Sequence, residues 1–532
     1  MKRIYKITQV ALFGALVVGC TDLDTAPLSS TITAEQKEDV VAADPSKIEA
    51  SVTAITANFT QYAKIYTEDD NVHSDIGYPT IMLATDSRTT DFVADITGYN
   101  WYSNSADYSD CLSTSTATIE FWGTLYNQIY TANAVIGTVD NETSDPTLQF
   151  YLAQALAIRA FDYFTLVQLY QFNYKGHEDA PGVPIITPEN AEEAAANGCA
   201  RSTVKETYEF ILGDLNKAIE LLANTKKTRS DKRYVSLDVA YGIRARVHLT
   251  MHNYADALKD AEAALASTSS VPYSSAAVSK PTFIDIEDAS WMWGILITDK
   301  DRVSTTGICN FPSHMGSLNY GYASVGGWRR ISPKLYNQIP ESDVRKGWFL
   351  NDTGVSVNLP AAAQAYITKK GAPVYTQVKY GPMNDEWGSN NNATDVILMR
   401  VEEMYLIKAE AQAMNNDVSG GVNTLNSFVN TYRDPSYKCT ATTGEAVQEA
   451  VWHQRRIEFW GEGLAYFDIM RLNKGVNRLG CGFPKTAVFN IAAGDPVQIY
   501  SIPNKEVQYN PLLENNPLVS APTPIPDELS LI

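Results

Sequence analysis

The sequence predicts a mainly α-helical protein whose helical scaffold is interrupted by two irregular, aromatic-rich insertions. Three observations lead there. Apolar residues recur at helical spacing over long stretches, as in Phe121, Leu125, Ile129, Ala132 and Ile136. Between them, the regions around 67–110 and 272–394 lose that periodicity and fill with Gly, Pro, Asn, Ser and scattered Trp and Tyr. The 532 residues are 45% hydrophobic, which is ample material for one large core.

The elements follow in order. Residues 119–139 form an amphipathic helix, and 148–170, with few charges, a largely buried one. Thr203 and Glu206 have capping-box spacing, and Tyr208, Ile211, Leu212, Leu215, Ile219 and Leu222 form the stripe behind them. Ser236 can cap a helix through His248, and after a turn at Asn253 a second helix runs over 254–265. This pair resembles a tetratricopeptide unit, in which small residues let two helices approach. Residues 395–414 and 445–471 read as further long helices, with 420–432 a partner of the first. The tail from Pro503 is rich in Pro and Asn and reads as extended.

The N-terminus carries a basic head (Lys2, Arg3, Lys6), an apolar run from Val10 to Val18, Gly19 and then Cys20. That run is far short of the roughly 20 residues that span a bilayer. The pattern is a secretory signal over 1–19 ending at a lipid-modifiable thiol, followed by a small, polar, acidic tether over 20–45 and a single domain over 46–532. Asp22 and Asp24 resemble an acidic surface-export signal. Membrane attachment is then by acyl chains alone.

Charge and motifs exclude other classes. Loss of the leader's three basic residues takes the net charge from −19 to −22, so no basic footprint for nucleic acid exists. The six cysteines (20, 111, 199, 309, 439, 481) contain no C-x-x-C pair, and lipidation of Cys20 leaves an odd number. No phosphate-binding loop, dinucleotide fingerprint or nucleophile elbow is present, and nothing requires a cofactor. His248 and His252 lack an H-E-x-x-H context and read as helix-end histidines rather than metal ligands. Glu458 and Glu462, four apart on an expected helix, could suggest glycosidase carboxylates. Arg455, Arg456 and Arg471 among them instead imply ion pairs, which lower carboxylate pKa and remove the general acid.

Flat aromatics beside amides, carboxylates or guanidinium groups suit a ligand with apolar faces edged by hydroxyls. Tyr99, Asn100 and Trp101 supply that mixture, with Asp75, Asp86 and Arg88 upstream. Tyr320, Tyr322 and Trp328 to Arg330 supply it again. Candidate ligand residues are therefore Trp101, Trp328, Tyr99, Asn100, Tyr320 and Arg88, with Trp122, Trp452 and Trp460 read as core.

Four stretches resemble the SusD/RagB family of surface glycan-binding lipoproteins: the Cys20 start, Leu398 to Ala411, Arg455 to Arg471 with Glu458-Phe459-Trp460-Gly461-Glu462-Gly463, and Ile502 to Val507 followed by Asn510-Pro511 and Asn516-Pro517. The resemblance implies four tetratricopeptide-like helix pairs and a glycan site on the irregular part. It also implies a cell-surface position at the outer membrane beside a SusC-like TonB-dependent β-barrel transporter, which receives the glycan. A surface glycoside hydrolase, a helical-repeat lipoprotein that binds protein, and a peptide cargo are the alternatives.

Overall fold

A computed structural model describes residues 34–61, 72–96 and 98–526. The helices that build the scaffold are α1 (Ala34–Ala43), α2 (Glu49–Ala57), α3 (Tyr78–Ser87), α4 (Thr116–Ile136), α5 (Pro146–Tyr170), α6 (Val204–Asn224), α7 (Leu237–Thr250), α8 (Tyr254–Ser267), α9 (Val401–Met414), α10 (Val418–Tyr432), α11 (Gly444–Glu458) and α12 (Ala465–Arg471). From α4 to α9 each helix packs on the next, and α9 then packs on both α10 and α11. This is the tetratricopeptide-like array.

Local chemistry explains the boundaries. Asp145 caps α5 through the N–H groups of Thr147 and Leu148, with Pro146 in the first turn. Thr203 and Glu206 form the expected capping box on α6. Ser236 precedes α7, but its hydroxyl is turned to Asp238 and gives no side-chain cap. Gly421 lets α10 lie directly on α9, since a Cβ there would stand 2.6 Å from the Ala409 carbonyl oxygen.

Five expectations change. The tether does not extend to 45, because α1 begins at Ala34 and buries Val41 in the core. The first irregular region contains α3, a helix buried on every side. Its polar side chains turn inward to the backbone, Thr85 donating to the Ile81 carbonyl at 2.7 Å and Ser87 to the Leu83 carbonyl at 2.7 Å. A helix buried all round has no apolar stripe. Residues 396–400 form strand β4 rather than the start of α9, because a buried apolar run pairs with β2 (Trp291–Ile295). The 445–471 helix breaks after Glu458, where Gly461 and Gly463 take φ of 77° and 73°. The tail is extended only after a short helix, Asn504–Tyr509. Two further antiparallel pairs complete the fold, β1 (Phe92–Ala94) with β3 (Arg329–Ile331), and β5 (Val476–Asn477) with β6 (Asn490–Ile491).

The break after α11 places Glu458 in a buried ionic cluster. Its carboxylate accepts from Arg433 Nε and Nη2 at 2.8 Å each, from Arg400 Nη1 at 3.0 Å and from Arg345 Nη1 at 3.2 Å. Arg400 also reaches Glu462 at 2.9 and 3.0 Å, and Lys379 Nζ donates to Glu462 at 2.6 Å. Burial pushes the Glu458 carboxyl up, but Arg433, Arg400 and Arg345 together hold it well below the usual range. The cluster ties β4, α10, α11 and the second irregular region into one body. Removing one partner of a buried pair leaves an uncompensated charge. Arg400→Ala is therefore expected to lower stability by about 3–5 kcal/mol in urea unfolding, and a loss below about 1 kcal/mol would show the cluster to be dispensable.

Candidate functional site

The β1–β3 pairing sets Phe92 opposite Ile331, Val93 opposite Arg330 and Ala94 opposite Arg329. It thereby brings the two aromatic stretches, 98–102 and 320–328, side by side. Tyr99 lies against the backbone of the second stretch. A Cβ at Gly326, whose φ is 130°, would stand 3.1 Å from Tyr99 Cδ2, and one at Gly327 would stand 2.9 Å from the Tyr99 carbonyl oxygen. The two glycines make this approach possible.

The six candidate residues separate by exposure. Tyr99 and Tyr320 are 53% and 47% exposed. Trp101 is half-buried. One face of its ring is covered by His73, with centroids 4.7 Å apart and planes at 29°. Tyr322 stands edge-on at 6.1 Å, and its hydroxyl bonds His73 Nδ1. His314 stacks on Tyr322 at 4.9 Å and bonds the His73 carbonyl oxygen through Nε2 at 2.9 Å. Burial, followed by the nearby Arg329, pushes His314 down to about 3. It is therefore neutral, with the proton on the nitrogen that donates. The Trp101 platform is thus braced from behind by a fixed stack of rings.

The other three candidates face inward. Asn100 is 2% exposed. Its amide donates to the Asp95 carbonyl at 2.9 Å and accepts from Arg329 Nη1 at 2.7 Å and the Tyr102 N–H at 3.1 Å. Trp328 is 6% exposed and belongs to a satellite core with Leu318, Leu350, Ile367 and Val378. Arg88 is fully buried, paired with Asp110 and held between the faces of Tyr108 and Tyr500 at 4.4 and 4.3 Å. These three side chains are committed to internal packing and do not reach a surface ligand in this arrangement. Cys20 lies outside the described residues.

His73 was not anticipated, since a single histidine near a loop gives no sequence signal. The carboxylates seen upstream also prove internal. Asp86 accepts the Gly463 N–H at 3.0 Å, and burial pushes it up to about 7. Asp75, next but one to His73, is buried with neither oxygen hydrogen-bonded among the described residues, and burial pushes it up to about 7. Glu120, reached by Ser74 Oγ at 3.3 Å, is raised well above its usual range by burial and then by Asp75. His248 and His252 do not converge. The first lies 3.8 Å from Asp260, while the second bonds the Arg471 carbonyl at 2.8 Å. No group of three or more metal-ligating side chains occurs among the described residues.

A carboxyl raised from 3.8 to about 7 holds its proton in the folded protein while the unfolded chain has released it. Stability is therefore lost as pH rises from about 4 to about 7 and is level beyond. Asp75→Asn removes that penalty. Its melting temperature is expected to match wild type near pH 4 and exceed it by several degrees at pH 8, whereas an equal offset at both values would refute a protonated Asp75.

Comparison with known proteins agrees with this architecture. A SusD-like family model, described as starch-binding associating with outer membrane, matches residues 39–249, and the SusD family model matches 345–518. SusD-like protein P2 of Formosa agariphila is 25% identical over 392 residues, 67% of this chain and 72% of that protein. SusD-like protein P38 of the same organism is 23% identical over 402 residues, 68% and 73% of the two chains. Among solved structures, a SusD-like carbohydrate binding protein from Bacteroides vulgatus superposes with a TM-score of 0.72 at 22% identity, covering 88% of this chain and 97% of that one. A SusD superfamily protein from Bacteroides thetaiotaomicron gives 0.70 at 21%, covering 89% and 99%. With its α4–α11 array, its Glu458–Glu462 turn and matches to both family models, the chain belongs to the SusD/RagB family.

Proposed function

We propose that this protein is a lipid-anchored, cell-surface glycan-binding protein that captures an oligosaccharide or polysaccharide and passes it to a SusC-like TonB-dependent transporter. The observation that carries the reading is the Trp101 platform. One face of the ring is closed by His73, the ring is rigidly backed through Tyr322 and His314, and the exposed rings of Tyr99 and Tyr320 belong to the same two stretches. A flat ring with one braced face suits the apolar face of a sugar.

Capture rather than cleavage is supported by the state of the carboxylates. Glu458 is held ionised by arginines inside the core, and Asp75 and Glu120 are buried. A glycosidase needs a protonated acid and an ionised partner in a cleft. The family's described association with the outer membrane supports the location. None of the described helices is long and apolar enough to cross a membrane, and the short apolar run ending at Cys20 supports attachment by acyl chains.

Calorimetry against a glycan panel separates the candidate rings. Trp101→Ala is expected to weaken binding about tenfold, near 1.4 kcal/mol, with the fold intact. Trp328→Ala is expected to cost about 3–5 kcal/mol of stability instead. Unchanged affinity in Trp101→Ala would remove this platform from the site. Labelled palmitate is expected to enter wild type and not Cys20→Ala, and equal labelling would refute the anchor.

A further inference from the structure

The second irregular region contains a polar cleft of about 590 Å³ that no part of the Trp101 platform enters. Its walls include two tyrosines, Tyr336 and Tyr375, with ring centroids 5.1 Å apart and planes at 59°. Lys346 lies 5.0 Å from the Tyr336 centroid, bonds the Ile339 carbonyl at 2.9 Å and pairs with Glu341 at 2.6 Å. Amides and hydroxyls line the rest, among them Asn337, Asn351, Ser356 and Asn358.

The cleft is preformed. Asn351 Oδ1 accepts from the N–H groups of Thr353 and Val355 at 2.9 and 3.0 Å, closing the turn at the rim. Ser356 donates to the Gly347 carbonyl at 2.5 Å. A Cβ at Gly347 would stand 2.3 Å from Asn358 Oδ1, so the missing side chain is what admits that amide.

Tyr375 is the second, independent observation. Its φ is 66°, a left-handed conformation that a bulky residue rarely adopts. Two backbone bonds hold it there, from its own N–H to the Leu350 carbonyl and from the Ile331 N–H to its carbonyl, both at 3.0 Å. The chain keeps a strained, partly exposed tyrosine at the wall of a cleft where glycine would be at ease. Strain of this kind collects at ligand sites.

We propose that this cleft is a second saccharide-binding site, selective for neutral sugar units and independent of Trp101. It rests on the reading of the chain as a glycan binder, and adds a separate locus to it. Paired aromatic faces among amides and hydroxyls match a sugar ring. Glu341 is paired with Lys346 and Asp343 with Arg345, so the lining keeps no unpaired cation among the described residues while Asp352 adds a negative charge, which disfavours uronic or sulfated sugars. Two sites on one chain would also favour long polysaccharides over short fragments through effective concentration.

Hydrogen–deuterium exchange on the full protein reads the two sites separately. The probes are maltoheptaose, xylohexaose, mannohexaose and an oligogalacturonate. Protection of residues 336–358 by a neutral probe is expected in wild type, retained in Trp101→Ala, and absent with the oligogalacturonate. It is expected to be lost in Tyr375→Gly, which removes the ring while suiting the left-handed backbone, and weakened in the rim variant Asn337→Ala. Protection at 98–102 without protection at 336–358 overturns the second site and leaves the Trp101 reading standing. Protection at neither segment overturns both, and protection of 336–358 that vanishes in Trp101→Ala overturns its independence.

Discussion

Glu458 is the residue on which the rest of the architecture depends. Its carboxylate gathers three arginines from three parts of the chain, Arg345 from the irregular region, Arg400 from the end of β4 and Arg433 from the end of α10. Asp343, Glu402 and Glu462 join it, so four carboxylates face four cations once Lys379 is included. Such a cluster is weak evidence for net stability, because desolvation opposes the pairing. Its consequence is geometric: each charge must sit beside its partner, so the segments that carry them have one mutual arrangement.

That arrangement extends to the surface. Trp460, two residues past Glu458, donates its indole N–H to the Asp91 carbonyl at 2.9 Å and stacks on Phe92 at 4.9 Å. Phe92 opens β1, β1 pairs with β3, and the pairing aligns the stretch holding Tyr99 and Trp101 with the stretch holding Tyr320 and Tyr322. The family motif around Glu458 is thus scaffold that places the aromatic platform without contributing a group to it.

How much of this could be read in the sequence follows the same physics. Helices with one dry face and one wet face were legible, as in 204–222, because the stripe records their burial. The helix at 78–87 left no stripe, since every side is dry. The strand at 396–400 was hidden inside a continuous apolar run, where periodicity does not separate strand from helix. For the site, composition named six candidates that the structure then separates by exposure. Tyr99, Trp101 and Tyr320 keep a solvent-facing part, while Asn100, Trp328 and Arg88 are consumed by partners up to hundreds of positions away, Arg88 by Tyr500 among them. Polarity and aromaticity report what a side chain can bind, and tertiary contact decides whether it is free to do so.

The two proposed aromatic loci share a way of being built. At Trp101 the brace is a set of rings, with His314 neutral through burial and its Nε2–H donating to the His73 carbonyl. At Tyr375 the brace is the backbone, pinned to Leu350 and Ile331 in a left-handed conformation. At Trp101 the ring itself is braced, and at Tyr375 the backbone that carries the ring is, before any ligand arrives. Order set in advance lowers the entropy lost on binding, so a locus built this way would gain affinity that its contact area alone would not provide. Deep enclosure would slow release, whereas a rigid ring near the surface allows fast exchange, which is what the proposed delivery role calls for.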